Sequence, residues 1–444
     1  MPDTGPNAAR GAGRRRRRGP ERLIRRNFLY TTAEGMSTNV AFGMVNPFLP
    51  VYAIALGANS LLVALVTALP AAANVFAYLL GADITERRPE NKLATAVTWG
   101  LAHRLLYLPM GFIPFLPYFR PEALVLLVSL AAVPFAVSVT AWTAMVGDMF
   151  PENRRGEIFG LRNMYVGLTG VMGTMAAGYF LDLVAFPFNY MYLFLVACGF
   201  ALVGMYFMNR MAEIRVRRRP VERRSLGQRL RALFEDRDLG RKFRYFSLSC
   251  FMLWLGFGFT AAMWAIYHVQ VLHLSNSIIG LFTVVNGLAT VVSSVSWGRI
   301  AIRKGERLVL LTSMSGLAAM PALYMLSRSL VFLFGAQVFS GVMMGGLNLA
   351  VFNLLLNYAK PEERANAAAV FNMLMNAATF IAPFMGNAWY SAYGIVSTFY
   401  AGFGVRLVGL VFLWKIMDRE LPGVRALAAM IRERHPLAGR RRWT

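Results

Sequence analysis

The chain is 444 residues long and carries a formal net charge of +24, yet only 15% of its residues are charged and 57% are hydrophobic. A soluble domain ordinarily has about 25% charged residues, so the apolar excess has to face hydrocarbon instead of water. Its two cysteines, Cys198 and Cys250, lie in apolar runs, and its four histidines form no His-Glu-x-x-His pattern. No disulfide framework, metal site or cofactor site is expected from these residues.

Residues 1–26 form a basic tail that includes the run Arg14 to Arg18. Arg25-Arg26-Asn27-Phe28-Leu29 has the look of a twin-arginine export signal. A long apolar segment and many further ones follow it, however, where an export signal precedes a soluble domain, so the tail reads as uncleaved and cytoplasmic. Crossing the hydrocarbon core takes about 20 apolar residues. Segments of that kind fall at 28–56, 61–82, 93–114, 122–146, 158–181 and 189–208, and again at 244–271, 277–297, 308–326, 330–356, 366–389 and 395–417. The expected organisation is a basic tail (1–26), a six-helix bundle (27–208), a basic linker (209–243), a second six-helix bundle (244–417) and a basic tail (418–444). In the linker, Ser225 and Gln228 resemble a capping box, and Leu226, Leu230, Leu233 and Phe234 share a helical face between arginines. That pattern suits either a short helix on the inner membrane surface or a solvated connection.

Forty-one of the 46 lysines and arginines fall in the two tails, the linker and the loops after spans two, four, eight and ten. The opposite loops hold Arg120 and Arg328, and Arg104, Arg162 and Arg406 lie near or inside spans. Flanking cations resist translocation and favour the anionic inner leaflet. The alternation therefore places both termini in the cytosol, requires an even number of spans and makes the positive charge topological. Nucleic acid is excluded as the partner. The surroundings are a lipid bilayer, expected to be the plasma (cytoplasmic) membrane, crossed many times.

Two loops repeat. Pro151-Glu152-Asn153-Arg154 follows span four and Pro361-Glu362-Glu363-Arg364 follows span ten, 210 residues later. Gly298-Arg299-Ile300-Ala301-Ile302-Arg303-Lys304-Gly305 follows span eight, and the segment from Gly81 to Lys92, with Glu86-Arg87-Arg88, stands after span two. Duplicated six-span halves joined by a basic loop characterise repeat-built transporters. Together these features resemble the major facilitator superfamily over roughly residues 27–417. Its signature loop between spans two and three reads Gly-x-Leu-Ala-Asp-Arg-x-Gly-Arg-Lys, with a weaker copy between spans eight and nine. Here the second copy matches better, at Gly298, Ile300, Ala301, Arg303 and Gly305, but Ile302 occupies its acidic position. The first copy keeps an acid as Glu86, whereas Gly81 is one residue out of register and the loop ends Pro89-Glu90-Asn91-Lys92. The resemblance implies an all-α membrane protein of about 12 transmembrane helices in two pseudo-symmetric six-helix bundles. It also implies a cytoplasmic gate involving Glu86, Arg87, Asp148, Glu152 and Arg154, with Gly298, Arg303, Gly305 and Arg364 in the second half. Glu86 would meet a helix N-terminus across the seam, where negative charge is stabilised by about 0.3–1 kcal/mol. The alternative reading is that these are solvated charges that only set topology.

Ionisable groups at membrane depth cost about 2.5–3.5 kcal/mol on insertion scales, so each asks for a partner or a task. Glu34 lies two turns into span one on a face with Thr31 and Thr38, and Arg104 lies halfway along span three beside His103. Glu34 is a candidate proton carrier or a snorkelling acid, and Arg104 a candidate partner for it or for a substrate anion. The resemblance implies a cavity lined by spans one, four, seven and ten. Span seven offers Trp254, with Trp264 and His268 expected in an outer aromatic belt. Span ten offers Gln337 and Asn348. Span eleven carries the polar stripe Asn372, Asn376, Thr379, Pro383 and Asn387, and the repeat maps Asn372 onto Arg162. Such stripes also serve as helix–helix contacts worth about 0.6 kcal/mol each. Gly256-x-Gly258-x-x-Ala261 lies inside a span with no preceding strand, so it is no dinucleotide site. No catalytic constellation points to an enzyme. The expected function is a monomeric secondary transporter of a small organic solute, with protons as the candidate coupling ion. A transporter-derived scaffold or receptor is the alternative.

Overall fold

Inside hydrocarbon no water is available to bond a free amide, so each lipid-embedded segment must close its own backbone hydrogen bonds. In the computed structural model every regular element among the described residues is accordingly helical. Residues 6–87, 90–150, 152–213, 237–360 and 363–417 are described, without the side chains of 6–20, 79, 86, 147, 152–157, 237, 365–366 and 415–417. The expected surface helix at 225–234 lies outside the described residues.

The first crossing is α1 (Pro6–Val45), a 3-10 turn at Asn46–Phe48 and α2 (Leu49–Ala55). Pro47 and Pro50 lack the amide that an unbroken helix would need, which accounts for the interruption. Next come α3 (Ser60–Arg87), then α4 (Lys92–Leu105) and α5 (Tyr107–Phe112) as a divided third crossing. Then follow α6 (Arg120–Met149), α7 (Glu152–Leu183) and α8 (Phe188–Asn209). The second half contains α9 (Arg237–Ile266), extended by a π-helical turn at Tyr267–Val271, then α10 (Asn276–Lys304), α11 (Glu306–Tyr324) and α12 (Leu330–Asn357). It ends with α13 (Arg364–Met417), which Gly394 (φ 76°, ψ 178°) divides in two.

Among the described residues nine segments are long and apolar enough to cross a membrane, and one of them, Ala367–Trp414, has 48 residues. At about 1.5 Å per residue that segment would be more than twice the ~30 Å hydrocarbon thickness if straight, so the break at Gly394 makes two crossings of it. The proline-divided first and third crossings complete the twelve expected. The first helix nevertheless begins well before residue 28, because the basic tail continues α1 instead of ending at its foot.

Pairing between helices repeats in the two halves. In the first, α1 packs on α7 and α8, α3 on α6, and α4 on both α6 and α8. In the second, α9 packs on α13, α10 on α12, and α11 on both α12 and α13. The halves meet through the reciprocal pairs α3–α13 and α7–α10. Glycine permits the closest approaches: a methyl group at Gly173 would run into the Val40 backbone, and one at Gly386 into the Phe259 carbonyl. Gly305 (φ 89°) supplies the left-handed turn that separates α10 from α11.

Gly173→Leu should therefore push α1 from α7 and lower the unfolding temperature, with a cost of about 1–3 kcal/mol. Gly287→Ala, where a methyl group meets nothing within 4 Å, should leave it unchanged or raise it. Both buried thiols, Cys198 and Cys250, report such unfolding through a thiol-reactive dye.

Candidate functional site

Glu34, Arg104 and Arg162 come together in the first half, from α1, α4 and α7 respectively. Arg104 Nη2 and Arg162 Nη2 each stand 3.5 Å from a different oxygen of the Glu34 carboxylate. The Thr38 hydroxyl donates to Glu34 Oε1 at 3.1 Å and accepts from Arg104 Nη2 at 3.0 Å. Arg104 Nη1 donates to the Gly100 carbonyl at 3.1 Å, and Arg162 Nε to the Thr31 carbonyl at 3.1 Å. Arg162 also lies over the Trp142 ring of α6, 4.8 Å from its centroid. Gly35 makes the approach possible, since any side chain there would collide with the Arg162 guanidinium. All three charged groups are buried. One carboxylate serves two arginines, so the cluster keeps a net positive charge in a region where water is scarce.

A cavity of about 380 Å³ lies in the same half, walled by Phe42, Leu49, Asn74, His103, Tyr107 and Phe135 among others and by none of the three charged groups. His103 precedes Arg104, holds the Ala131 carbonyl through Nδ1 at 3.0 Å and leaves Nε2 without a protein partner. The unpartnered Asn74 Oδ1 is a second polar point on this largely aromatic wall. Another cavity, of about 290 Å³, spans the two halves: Pro47, Pro50 and Val51 face Trp264, His268, Asn286 and Gln337. A third, of about 280 Å³, lies within the second half and shares Trp264, His268 and Gln337 with it; its wall also includes Phe257, Ser340 and Arg406. The volumes are near the lower end of those that hold small organic ligands.

The structure does not keep Trp264 and His268 in an interfacial belt. Trp264 packs edge-on against Tyr324 and Phe399, with centroids 4.8 and 4.7 Å away, and His268 Nε2 lies 3.2 Å from the Tyr324 hydroxyl. Gln337 donates to that same hydroxyl at 3.0 Å and accepts from Asn286 at 3.3 Å. Trp254 instead packs on Phe257. It lines none of these three cavities, and neither do Asn348, Asn372 and Asn376. Asn348 and Asn372 are exposed, and Asn376 bonds the Asn372 carbonyl one turn back.

At the arginine-rich end, Asp148 pairs with Lys92 at 2.5 Å and Arg87 with Asp83 at 2.6 Å, contacts inside the first half. The side chains of Glu86, Glu152 and Arg154 lie outside the described set. Arg364 Nε donates to the Leu356 carbonyl at 3.2 Å, Arg303 is exposed, and a methyl group added at Gly298 would meet Leu349 at an ordinary 3.8 Å. Ile302, in the acidic slot of the motif, is 89% exposed. The arginine-poor end has a latch that sequence reasoning missed. Asp182, near the end of α7, accepts at 2.9 Å from both the backbone and side-chain nitrogens of Asn276. Its other oxygen accepts from the Ser277 amide at 2.8 Å and hydroxyl at 2.5 Å. A carboxylate there meets the positive end of α10 and four donors across the seam. The only trace in the sequence is a polar Ser275-Asn276-Ser277 helix start, which names no partner.

A sequence profile described as Major Facilitator Superfamily matches residues 35–275 and 246–443. Among solved structures, the nucleoside transporter NupG is similar at 15% identity and a TM-score of 0.67, covering 88% of this chain and 98% of that one. A D-xylose-proton symporter is similar at 13% identity and a TM-score of 0.67, covering 88% and 98%. A peptide transporter, POT, is similar at 12% identity and a TM-score of 0.69, covering 90% and 98%. No curated protein matches the chain.

The charge balance of the buried cluster makes its members unequal. Glu34→Ala strands two arginines and should cost about 3–5 kcal/mol, as other broken buried pairs do. Arg162→Gln leaves a neutral Glu34–Arg104 pair and should cost less. Unfolding midpoints of the two variants check the order, and a reversed order would show that Glu34 is not the group holding the cluster together.

Proposed function

The chain belongs to the major facilitator superfamily and is a secondary transporter; from that premise we propose that it moves a small organic solute by alternating access at the seam of its two halves. The observation that carries this reading is the cavity shared by Pro47, Pro50 and Val51 of one half and Trp264, His268 and Gln337 of the other. Its walls belong to both bodies, so a rocking motion about the seam changes its access without dismantling either half. The aromatic cavity beside His103 supports a solute with a substantial apolar part. The structural neighbours are transporters of nucleosides, D-xylose and peptides. At identities this low they support only the class, a small organic molecule.

Protons are the proposed coupling ion, and Glu34 the group that carries them. An ionised Glu34 holds Arg104 and Arg162, and through them binds α1 to α4 and α7. A proton on the carboxylate removes the attraction that joins the three helices and frees α1 to change partners. The D-xylose-proton symporter among the neighbours is consistent with this coupling. In orientation, the proposal puts both termini and the arginine-rich loops in the cytosol of a plasma membrane. The Asp182 latch then closes the outer end, and Glu86, Arg87, Asp148, Glu152 and Arg154 belong to the gate at the inner end.

Reconstituted in liposomes with a panel of nucleosides, sugars, peptides and aromatic acids, the protein should accumulate at least one solute when a pH gradient is imposed. Glu34→Gln should abolish accumulation and retain solute exchange at equal pH; unchanged accumulation would remove Glu34 from the coupling. Separately, Asp182→Ala should speed the labelling of a cysteine introduced by Thr283→Cys with a membrane-impermeant thiol reagent added outside. No change in rate would mean that Asp182 does not keep the outer end shut.

A further inference from the structure

Arg406 is the largest fully buried side chain, 2% exposed, and lies 12 residues beyond the break at Gly394. At about 1.5 Å per residue this is mid-depth in the last crossing, well away from lipid headgroups. Among the described residues its polar contacts are neutral. Nη1 donates to the Leu317 carbonyl at 3.0 Å, and Nη2 to the Gly256 carbonyl at 3.0 Å and the Thr260 hydroxyl at 2.8 Å. Its guanidinium lies over the Phe257 ring, 4.7 Å from the centroid. Gly256 leaves room for the arginine stem, which any larger residue would displace. Nε is buried and has no partner.

The first half answers its two buried arginines with Glu34, but the second half has no counterpart. From residue 239 to 417 the acids are Glu306, Glu362 and Glu363; Glu306 opens α11 and Glu363 immediately precedes α13. No ion pair to Arg406 occurs among the described residues. An unpaired cation at this depth is costly, and a clamp between helices would need only the three neutral contacts already made. Instead Arg406 borders a cavity of about 280 Å³. Ser340 adds a hydroxyl to the wall, and Trp264 and His268 carry the cavity on to the seam.

Building on the transport reading above, we infer that the cavity beside Arg406 is an anion subsite, which takes the carboxylate of an organic monoanion while its apolar part extends towards Trp264 and the seam. The contacts to Leu317, Gly256 and Thr260 fix the guanidinium plane, so its charge stands ready beside the cavity without reorganisation on binding. The anion supplies from outside the negative charge that the bundle lacks. Specificity follows from the same accounting: a neutral amide of equal shape leaves the arginine uncompensated and is rejected.

The test is equilibrium binding by the full-length protein in nanodiscs of zwitterionic lipid. Unfolding is followed with a thiol-reactive dye, with benzoate as the probe and benzamide as its neutral twin. Benzoate should raise Tm by several degrees at saturation, and benzamide should not. Arg406→Gln should abolish the shift. Ser340→Leu, which narrows the cavity and leaves every Arg406 bond in place, should abolish it too, and it decides the matter if Arg406→Gln does not fold. Equal shifts from both probes, no shift from benzoate, or a benzoate shift that survives Ser340→Leu would overturn the inference. So would a shift produced by anionic lipid alone and abolished by Arg406→Gln, since that would assign the anion to a headgroup. Binding requires neither a pH gradient nor turnover, so this result and the liposome result fail independently.

Discussion

Charge held in a low-dielectric interior governs this molecule more than any other interaction. A helix can close its backbone bonds alone, but an ionised side chain at membrane depth needs help from another helix. The first half meets that requirement with opposite charge: Glu34 draws arginines from α4 and α7 onto α1, and Thr38 fills the gap between them. The second half meets it with dipoles. Arg406 collects two backbone carbonyls, a hydroxyl and an aromatic face, and none of these carries charge. Two halves with one pattern of helix pairing have thus arrived at different electrostatics.

Packing determines where this chemistry can operate. Lipid tails are as apolar as the side chains they touch, so helices associate through close approach and polar contacts more than through exclusion of water. The α7 glycines show how unevenly the approach is used. Gly170 and Gly173 press against Asn39 and Val40 of α1, and Gly178 meets Asn276 and Ser277 of α10. A methyl group added at Gly160 or Gly167, towards the arginine-rich end, would meet nothing. One helix is therefore bonded to its own half along much of its length and to the other half at its arginine-poor end, where Asp182 reinforces the contact. A hinge needs this division between a firm internal attachment and a local, polar, reversible one.

Much of the architecture was legible because it rests on composition and repetition. Apolar segment lengths, the one-sided arginines and the paired Pro-Glu-x-Arg loops are properties of the linear chain, and the twelve-crossing fold follows from them. Charge conservation in hydrocarbon also makes Glu34 and Arg104 a natural pair to consider. Arg162 was harder to place, because its role depends on Gly35 leaving a passage across α1, and a passage has no linear signature. Trp264 and His268 were misplaced for a related reason. Distance along a helix suggests an interface, but Tyr324 and Phe399 of neighbouring helices turn that end of α9 into an interior. The Asn372–Asn376 stripe shows the opposite error: helical periodicity reveals a polar face, and only packing tells whether it faces a cavity, a partner or neither.

The first crossing connects these parts. On α1, Glu34 takes part in the charge cluster, and the proline-broken segment that follows supplies Pro50 to both the aromatic cavity and the cavity at the seam. An unbroken helix would transmit a shift at Glu34 as a rigid translation. The interruption at Pro47 and Pro50 removes backbone bonds between the charge cluster and the cavity walls, so the two portions can reorient semi-independently. In the proposed coupling, a change in pairing at Glu34 reaches the solute through the cavity wall without direct contact between them. It produces net coupling only if the solute favours one arrangement of that wall over the other. An occupant of the proposed kind, with its apolar part near Trp264 and the seam and its charge near Arg406, would have that preference built in, because it would draw the second half towards the segment that follows Glu34.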